Sequence, residues 1–329
     1  MKLSFVIPAH NEEAYVGKCL DSIFKQLRGA AYDAEIIVVD NASTDRTKEV
    51  ARKYPRVKVI GEPRKGIVWA RRAGFLASSG DLVANVDADT MLTPGWIKRV
   101  FEEFSKDPHL LALSGPFIYY DLPPKTRILV KIFYHLGYLT YLVNHFILRA
   151  SSMLQGGNYV IKRGALEAIG GYNTNIEFYG EDTDIARRVN KIGRVKFTFD
   201  LPMYASGRRL KGEGTFTTGL RYAMNYFWII VFKRPFSASS ADIRAKSGAL
   251  PRPSKIRELA IASITVLILL AILFGAGFGT YKLAKSGVVA TITISNIKAE
   301  ARKLEDKIAD FSNRLKKSIK NNLKANESR

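Results

Sequence analysis

Cysteine is almost absent from this chain of 329 residues, which contains only Cys19. A single cysteine excludes an internal disulfide framework and the usual ligand sets of structural zinc sites. We interpret Cys19 as a buried helix residue, because an unpaired cysteine packs like a small apolar side chain. The apolar run from Leu3 to Pro8 is too short for a secretory signal peptide, so we expect the main domain to stay in the cytosol.

Two nucleotide-binding signatures are also missing, and acidic residues are scarce. Neither the Gly-x-Gly-x-x-Gly fingerprint nor the Gly-x-x-x-x-Gly-Lys-Ser/Thr loop occurs, which excludes an ordinary dinucleotide or P-loop site. The chain carries 51 lysines and arginines against 30 aspartates and glutamates, a formal net charge of +21. This balance implies a polyanionic partner: nucleic acid, a phosphorylated substrate or an anionic membrane surface.

Short apolar runs alternate with segments of helical periodicity along the first half of the chain. The predicted strands lie at 3–8, 35–40, 57–60, 81–87 and 110–118. The predicted helices begin after Asn11, after Asp45, at Gly66 and after Thr93-Pro94. Strands that are apolar throughout and alternate with helices predict an α/β fold with a doubly wound, mostly parallel sheet and flanking helices.

The apolar run 82–86 ends in two carboxylates, Asp87 and Asp89. Side chains two apart on a strand point the same way, so both carboxylates can approach one point. A hard cation, Mg²⁺ or Mn²⁺, is held by one or two carboxylates plus substrate phosphates. By itself the pattern fits either such a site or a solvated turn. A helix-loop-helix calcium loop is excluded, because Lys98 stands where its last glutamate should be.

Three polar clusters follow predicted strands, at 8–11, 40–45 and 87–89. In parallel sheets, ligands bind at the carboxyl ends of strands, so we expect these clusters to converge on one edge. Farther along, 206–214 is glycine-rich and basic. This segment is either a solvated surface loop or a mobile clamp in which Arg208 and Arg209 match phosphate oxygens.

The region 125–149 interleaves aromatic and basic residues, and it fits either an amphipathic helix on a membrane or a helix half-buried against the domain. A first domain, long enough to be a catalytic domain, is predicted at 1–236, and a polar linker is predicted at 237–257. A transmembrane helix is predicted at 258–281, because 259–281 lacks charge and is long enough to span a bilayer. The tail, 282–329, fits a basic amphipathic helix or a short coiled coil.

Four stretches in order resemble the family 2 glycosyltransferases: Phe5–Glu12, Val38–Asp45, Gly80–Asp89 and Gly156–Asp184. The resemblance covers residues 1 to about 215. It implies a GT-A-like fold, a nucleotide-diphosphate sugar donor and an inverting transfer to an acceptor hydroxyl or phosphate. No Gln-x-x-Arg-Trp motif is present, which argues against a processive polysaccharide synthase.

The resemblance also implies a role for each candidate site residue. On the donor side it implies Asp40 at the nucleobase, Pro8, Ala9 and Glu12 lining the nucleoside pocket, Lys65 and Arg71 bordering the donor, Asp87 against the ribose, and Arg208 and Arg209 at the diphosphate. Asp89 would bind Mg²⁺ or Mn²⁺ on the diphosphate, and Asp182 would be the catalytic base. From the residues alone, a helix N-cap is the better interpretation of Asp182, whose acidic neighbours Glu181 and Asp184 could raise its pKa.

Our first hypothesis is a single-pass, membrane-tethered inverting glycosyltransferase with its catalytic domain on the cytoplasmic face. Its acceptor would be a polyprenyl-phosphate or a lipid-linked glycan of the cell envelope, with a soluble or protein acceptor as the open alternative. No RNA or DNA motif is visible, so we expect no nucleic-acid partner. The alternative is a membrane-anchored binding protein whose degenerate transferase domain holds anionic lipid or nucleic acid.

Overall fold

The computed structural model describes residues 1–142, 153–176 and 179–236. Ten strands are formed in these ranges: β1 Leu3–Ala9, β2 Ala34–Asp40, β3 Val57–Gly61, β4 Leu82–Val86, β5 Thr90–Leu92, β6 Leu110–Ser114, β7 Phe117–Tyr119, β8 Asn158–Lys162, β9 Arg194–Phe197 and β10 Met203–Ala205. Nine helices accompany them within the same ranges: α1 Val16–Leu27, α2 Thr47–Arg52, α3 Ile67–Ala77, α4 Trp96–Lys106, α5 Pro124–Leu142, α6 Arg163–Ala168, α7 Glu181–Val189, α8 Arg208–Glu213 and α9 Thr215–Phe232.

The larger sheet has the strand order β3-β2-β1-β4-β8-β6-β9. Strands β1 to β4 pair in parallel, and only β8 is antiparallel to its neighbours in this sheet of described strands. Every residue of β4 is buried, as expected for a strand covered on both faces. The predicted mixed α/β fold with a mainly parallel sheet is confirmed.

Apolar side chains form a core on each face of this sheet, because successive residues of a strand point to opposite faces. Leu3, Phe5 and Ile7 of β1 pack with α1 and α4 on one face. Val6 packs with α3 and α7 on the other face. Cys19 is buried in the first core, as predicted.

A second sheet of three short strands, β5-β10-β7, was not predicted from the sequence. The predicted strand 110–118 is in fact divided at Gly115-Pro116, and its two parts, β6 and β7, join different sheets. The chain passes so close to Leu201 at this point that a Cβ on Gly115 would lie 2.0 Å from the Leu201 carbonyl oxygen. The small sheet is important for the site because β5 follows Asp89 and β10 precedes α8.

Two predicted helix starts are wrong. Asn11 does not cap α1, which begins at Val16; Asn11 has a φ of 52° and its Oδ1 accepts from the Thr44 N–H at 2.8 Å. Likewise, α4 begins at Trp96 after the left-handed residue Gly95, not at Thr93-Pro94. In both places the polar side chain serves a loop contact instead, because tertiary contacts outcompete a weak local capping preference.

The predicted linker 237–257, transmembrane helix 258–281 and tail 282–329 lie outside the described residues, as do positions 143–149 of the aromatic and basic region. Within the described ranges, the helices are too short or too polar to cross a bilayer.

Candidate active site

The carboxyl ends of β1, β2 and β4 meet at one edge of the sheet, as predicted. Ala9 at the end of β1 lies in register with Asp40 at the end of β2. The loops that follow are joined to each other: the Glu12 N–H donates to Thr47 Oγ1 at 2.7 Å, and His10 Nδ1 contacts the Asn41 carbonyl oxygen at 2.7 Å. Of the residues expected to line the nucleoside, Ala9 and Glu12 are buried and Pro8 is half-buried, and all three lie at or just after the end of β1.

Asp40 Oδ1 is buried and has no hydrogen-bond partner among the described residues. A buried acceptor without a donor costs free energy, about 1–3 kcal/mol, and a ligand N–H can remove that cost. This is the property expected of a carboxylate that contacts a nucleobase.

Asn41, to which the sequence analysis gave no individual role, fixes the segment that carries Lys65. Its Nδ2 donates to the carbonyl oxygens of Glu62 at 2.9 Å and Arg64 at 2.7 Å, and its Oδ1 accepts from the Gly66 N–H at 2.8 Å. Lys65 is exposed between these anchors. The segment 62–66 is therefore held beside the end of β2. The resemblance implies that Lys65 in this segment borders the donor.

Arg71 of α3 connects Asp87 to Glu181. Its side chain is 1% exposed, its Nη2 lies 3.0 Å from Asp87 Oδ1, and its Nη1 pairs with Glu181 Oε1. The guanidinium also lies 5.7 Å from the ring centroid of Tyr159. Such a buried arginine lies beneath the site and joins strand β4 to the start of α7, rather than presenting its charge at the surface.

The glycine pair Gly156-Gly157 allows two carboxylates to approach the same backbone. Gly157 has a φ of +80°, and a Cβ there would lie 2.2 Å from Asp87 Oδ2. A Cβ on Gly156 would lie 3.1 Å from Asp182 Oδ2. Asp87 and Asp182, 95 positions apart in the sequence, therefore flank one turn of the chain.

Asp182 is not the N-cap of α7, a position that Gly180 occupies; it lies in the first turn, half-buried, and is held by backbone N–H groups. Its Oδ2 accepts from Gly156 at 2.8 Å and its Oδ1 from Thr183 at 2.7 Å. Burial raises the pKa of the Asp182 carboxyl above its ordinary value, although these hydrogen bonds act in the opposite direction. A carboxylate of raised pKa is a better proton acceptor than an ordinary aspartate.

The predicted cause of this pKa shift, repulsion from acidic neighbours, is wrong. Glu181 pairs with Arg71, and Asp184 pairs with both Arg187 and Arg188 at 2.8 Å. These arginines neutralise the charges next to Asp182, so loss of solvent contact remains as the main cause.

The basic segment 206–214 is not an exposed loop, because residues Arg208–Glu213 form the short helix α8. Asp121 holds its start by accepting from the Gly207 N–H at 2.6 Å and the Ser206 hydroxyl at 3.0 Å. Arg208, with a side chain 20% exposed, lies 3.0 Å from Asp89 Oδ2 and also pairs with Glu12. Arg209 pairs instead with Glu213 at 2.8 Å.

Asp89 is the candidate metal ligand; its side chain is 18% exposed, and its Oδ2 lies 3.0 Å from Arg208 Nη2. Among the described residues, no cluster of three or more histidine, cysteine or acidic side chains could bind a metal alone. Mg²⁺ and Mn²⁺ do not require such a cluster, since one carboxylate, diphosphate oxygens and water satisfy them. Asp89 can supply that carboxylate.

The sequence of this chain is similar to sequences of known proteins. The family model described as Glycosyl transferase family 2 matches residues 4–170. A chondroitin synthase of Pasteurella multocida is 33% identical over 112 residues, which are 33% of this chain and 11% of the synthase. A dolichol-phosphate mannosyltransferase of Pyrococcus furiosus is 39% identical over 107 residues, which are 31% of this chain and 30% of that enzyme. The chain thus spans less than a third of either relative.

A solved structure supports the fold over a longer range. The mannosyltransferase PcManGT from Pyrobaculum calidifontis, in complex with GDP-Man and Mn²⁺, superimposes with a TM-score of 0.54 at 18% identity. The match covers 92% of this chain and 79% of that one. The predicted GT-A-like fold is thereby confirmed.

Proposed function

The chain belongs to glycosyl transferase family 2, and from that premise we propose that it transfers a sugar from a nucleotide-diphosphate sugar to an acceptor with inversion at the anomeric carbon. The observation that carries the proposal is the placement of Asp87 and Asp182 on either side of Gly156-Gly157. One carboxylate lies at the donor-side strand ends and the other at the start of α7. An inverting displacement needs such an arrangement, with the leaving diphosphate on one face of the anomeric carbon and the attacking oxygen and its base on the opposite face.

On the donor side, we assign the nucleobase to Asp40, whose buried Oδ1 lacks a donor among the described residues. Pro8, Ala9 and Glu12 would line the nucleoside, Lys65 would border it, and Asp87 would lie against the ribose. Arg208 and Arg209 would face the diphosphate. Asp89 would hold Mg²⁺ or Mn²⁺, which supplies charge neutralisation to the leaving diphosphate when bound. The Mn²⁺ and GDP-Man named for PcManGT support this choice of donor class and metal.

On the acceptor side, Asp182 takes the proton of the attacking hydroxyl. As the new bond from the acceptor oxygen to the anomeric carbon forms, the bond from that carbon to the diphosphate oxygen breaks, and the hydroxyl proton passes to an Asp182 oxygen. Arg71 acts through its neighbours: it holds Asp87 and Glu181 together, so the donor edge and α7 keep their spacing. The contribution of such a base is about 10²–10⁴-fold in rate.

We further propose that the acceptor is a polyprenyl-phosphate or a lipid-linked glycan at a membrane, with the catalytic domain on the cytoplasmic face and a single span at 258–281. The net charge of +21 and the uncharged run 259–281 support this setting. The name of the Pyrococcus furiosus relative, a dolichol-phosphate mannosyltransferase, agrees with a lipid-linked acceptor. A phosphate oxygen is already ionised near neutral pH and needs no base, so dependence on Asp182 would favour a hydroxyl acceptor over a phosphate.

The test is a donor screen by thermal unfolding, because a ligand that binds the folded state raises its melting temperature. We expect one nucleotide-sugar class to raise it in the presence of Mn²⁺ and to raise it much less with a chelator. Transfer to short-chain polyprenyl-phosphate and to a lipid-linked glycan is then measured with that donor. If no nucleotide-sugar shifts the melting temperature with or without Mn²⁺, the proposed function is rejected.

A further inference from the structure

Helix α5 exposes three large aliphatic side chains in one row. Ile128 is 60% exposed, Ile132 51% and Leu136 37%. They are spaced four residues apart, which places them one above the other on a single helix face. Single exposed aliphatic side chains are common on protein surfaces, but a contiguous apolar row marks an interaction site.

Basic side chains flank this row, and acidic ones are absent from its neighbourhood in the sequence. Lys125 lies on one side of the row, and Arg127 and Lys131 lie on the other; all three are exposed. From 122 to 166 the chain contains no aspartate or glutamate. An apolar helix face bordered by cations matches the surface of an anionic bilayer, where apolar groups enter the acyl boundary and cations meet the headgroups.

The opposite side of α5 is fixed to the rim of the candidate active site. Val130 is buried, and the Tyr134 hydroxyl accepts from the Phe117 N–H at 3.1 Å and donates to Gln155 Oε1 at 2.9 Å. Gln155 directly precedes Gly156, whose N–H donates to Asp182. A surface that contacts the exposed face of α5 therefore lies close to the acceptor side of the site.

We propose that this face of α5, formed by Ile128, Ile132 and Leu136 with Lys125, Arg127 and Lys131, docks into the interface of an anionic lipid bilayer. The inference rests on the proposed function for its membrane setting, and it adds where the domain touches the membrane: beside Asp182. A second copy of the chain fits this face less well, because pairing two such faces would bring like charges together.

The test uses the full chain reconstituted in bilayers, with one fluorescent label at Ile132→Cys or, in a second variant, at Ile128→Cys. Cys19 is buried, so a thiol-reactive label selects the new cysteine. Ile192→Cys is the matched control, since Ile192 is 50% exposed and lies outside α5. We expect a lipid-borne quencher to reduce emission at 132 and 128 several-fold more than at 192, with a larger effect in anionic than in neutral bilayers.

Charge reversal tests whether the basic side chains of this face, rather than the net charge of the chain, cause the docking. Lys125→Glu with Lys131→Glu is expected to abolish the quenching at Ile128→Cys, whereas Lys18→Glu with Lys53→Glu, exposed lysines on other elements, should leave it in place. Equal quenching at 132 and 192, or equal loss with both lysine pairs, would overturn the proposal. A label at 132 that is already shielded from a water-soluble quencher without lipid would overturn it too, because another part of the chain or a second copy would then cover the face.

The melting-temperature shift with donor and Mn²⁺ is measured on the same labelled variants, so that the two proposals fail separately. A retained shift without lipid quenching rejects the docking of α5 alone. Quenching without any shift rejects the proposed transferase function alone.

Discussion

Arg208 Nη2 lies 3.0 Å from Asp89 Oδ2, so a cation of the chain contacts the carboxylate assigned to the metal. The same guanidinium pairs with Glu12 and lies 4.8 Å from the ring centroid of Tyr15. A divalent ion would therefore either share the Asp89 carboxylate with Arg208 or compete with Arg208 for it. Removal of this arginine should then affect metal binding and donor binding in opposite directions.

The substitution Arg208→Ala is expected to strengthen Mn²⁺ binding in the absence of nucleotide and to weaken binding of the donor. Removal of the competing cation exposes Asp89 to the metal, whereas the diphosphate loses a partner. Since Arg208 is partly buried and paired, folding stability should also fall, by about 1–3 kcal/mol. Titration calorimetry with Mn²⁺ alone and then with nucleotide measures both affinities. Arg209→Ala is the control for Mn²⁺, because Arg209 pairs with Glu213; equal effects on Mn²⁺ would contradict the shared contact with Asp89.

Asp89→Asn is expected to remove the Mn²⁺ dependence of nucleotide binding, because the amide lacks the negative charge that holds a hard cation against the diphosphate. The melting-temperature shift with nucleotide should then be the same with Mn²⁺ and with a chelator. Asp33→Asn, at an exposed position just before the amino end of β2 and so away from the carboxyl ends of the strands, should keep the dependence. Retained dependence in Asp89→Asn would show that the metal ligand lies elsewhere.

Asp182→Asn should lower the transfer rate to a hydroxyl acceptor by about 10²–10⁴-fold while donor affinity is kept. The base must be ionised to accept a proton, so kcat/KM of the unsubstituted chain should fall on acidification. Since burial raises the pKa of Asp182, kcat/KM of the unsubstituted chain should fall at a pH above ~3.9, the ordinary aspartate pKa. The residual kcat/KM of Asp182→Asn should not show this fall. A rate within a few-fold of the unsubstituted chain would contradict the role of base.

Stability provides an independent check on Asp182. A carboxyl whose folded pKa is raised binds its proton more tightly in the folded state. Its ionisation therefore lowers stability as the pH rises from the ordinary pKa through the folded pKa, and the loss stays constant at higher pH. Asp182→Asn removes that cost, but one backbone N–H then faces an amide NH₂ group. We expect these effects to leave the unfolding free energy at neutral pH within about 1 kcal/mol. A larger loss of stability in urea unfolding would indicate that the contacts of Asp182 with the Gly156 and Thr183 N–H groups serve mainly the fold.

Gly157→Ala should both destabilise the fold and impair donor binding. The new Cβ would lie 2.2 Å from Asp87 Oδ2, and the φ of +80° strains any residue with a side chain, at a cost above about 1 kcal/mol. Gly164→Ala is the control, because a Cβ there meets nothing within 4 Å. Urea unfolding and donor affinity should both change at 157 and stay nearly constant at 164. Unchanged donor affinity in a folded Gly157→Ala variant would place Asp87 outside the donor site.

The amino-acid sequence by itself determined the sheet strands β1 to β4 and the edge where the polar clusters converge. These features depend on short-range information: apolar runs of strand length, polar residues directly after them, and the fact that parallel strands end at one edge. The motifs 87–89 and 180–184 also carried the family assignment without any knowledge of contacts. Helix starts were less well determined, because the side chains of Asn11 and Thr93 had tertiary partners that compete with capping.

Only the tertiary structure decided how the site residues are held. Arg71 and Glu181 are 110 positions apart, and no local pattern indicates that their side chains meet beneath the site. The same holds for Arg208, whose pairing with Glu12 and Asp89 requires α8 to fold back from the other end of the domain. The raised pKa of Asp182 likewise depends on burial in the folded chain, while the nearby Arg71 guanidinium acts to lower it. Solvent exposure and the distances between charges are properties of the folded chain, so the sequence could supply the candidate residues but not their partners.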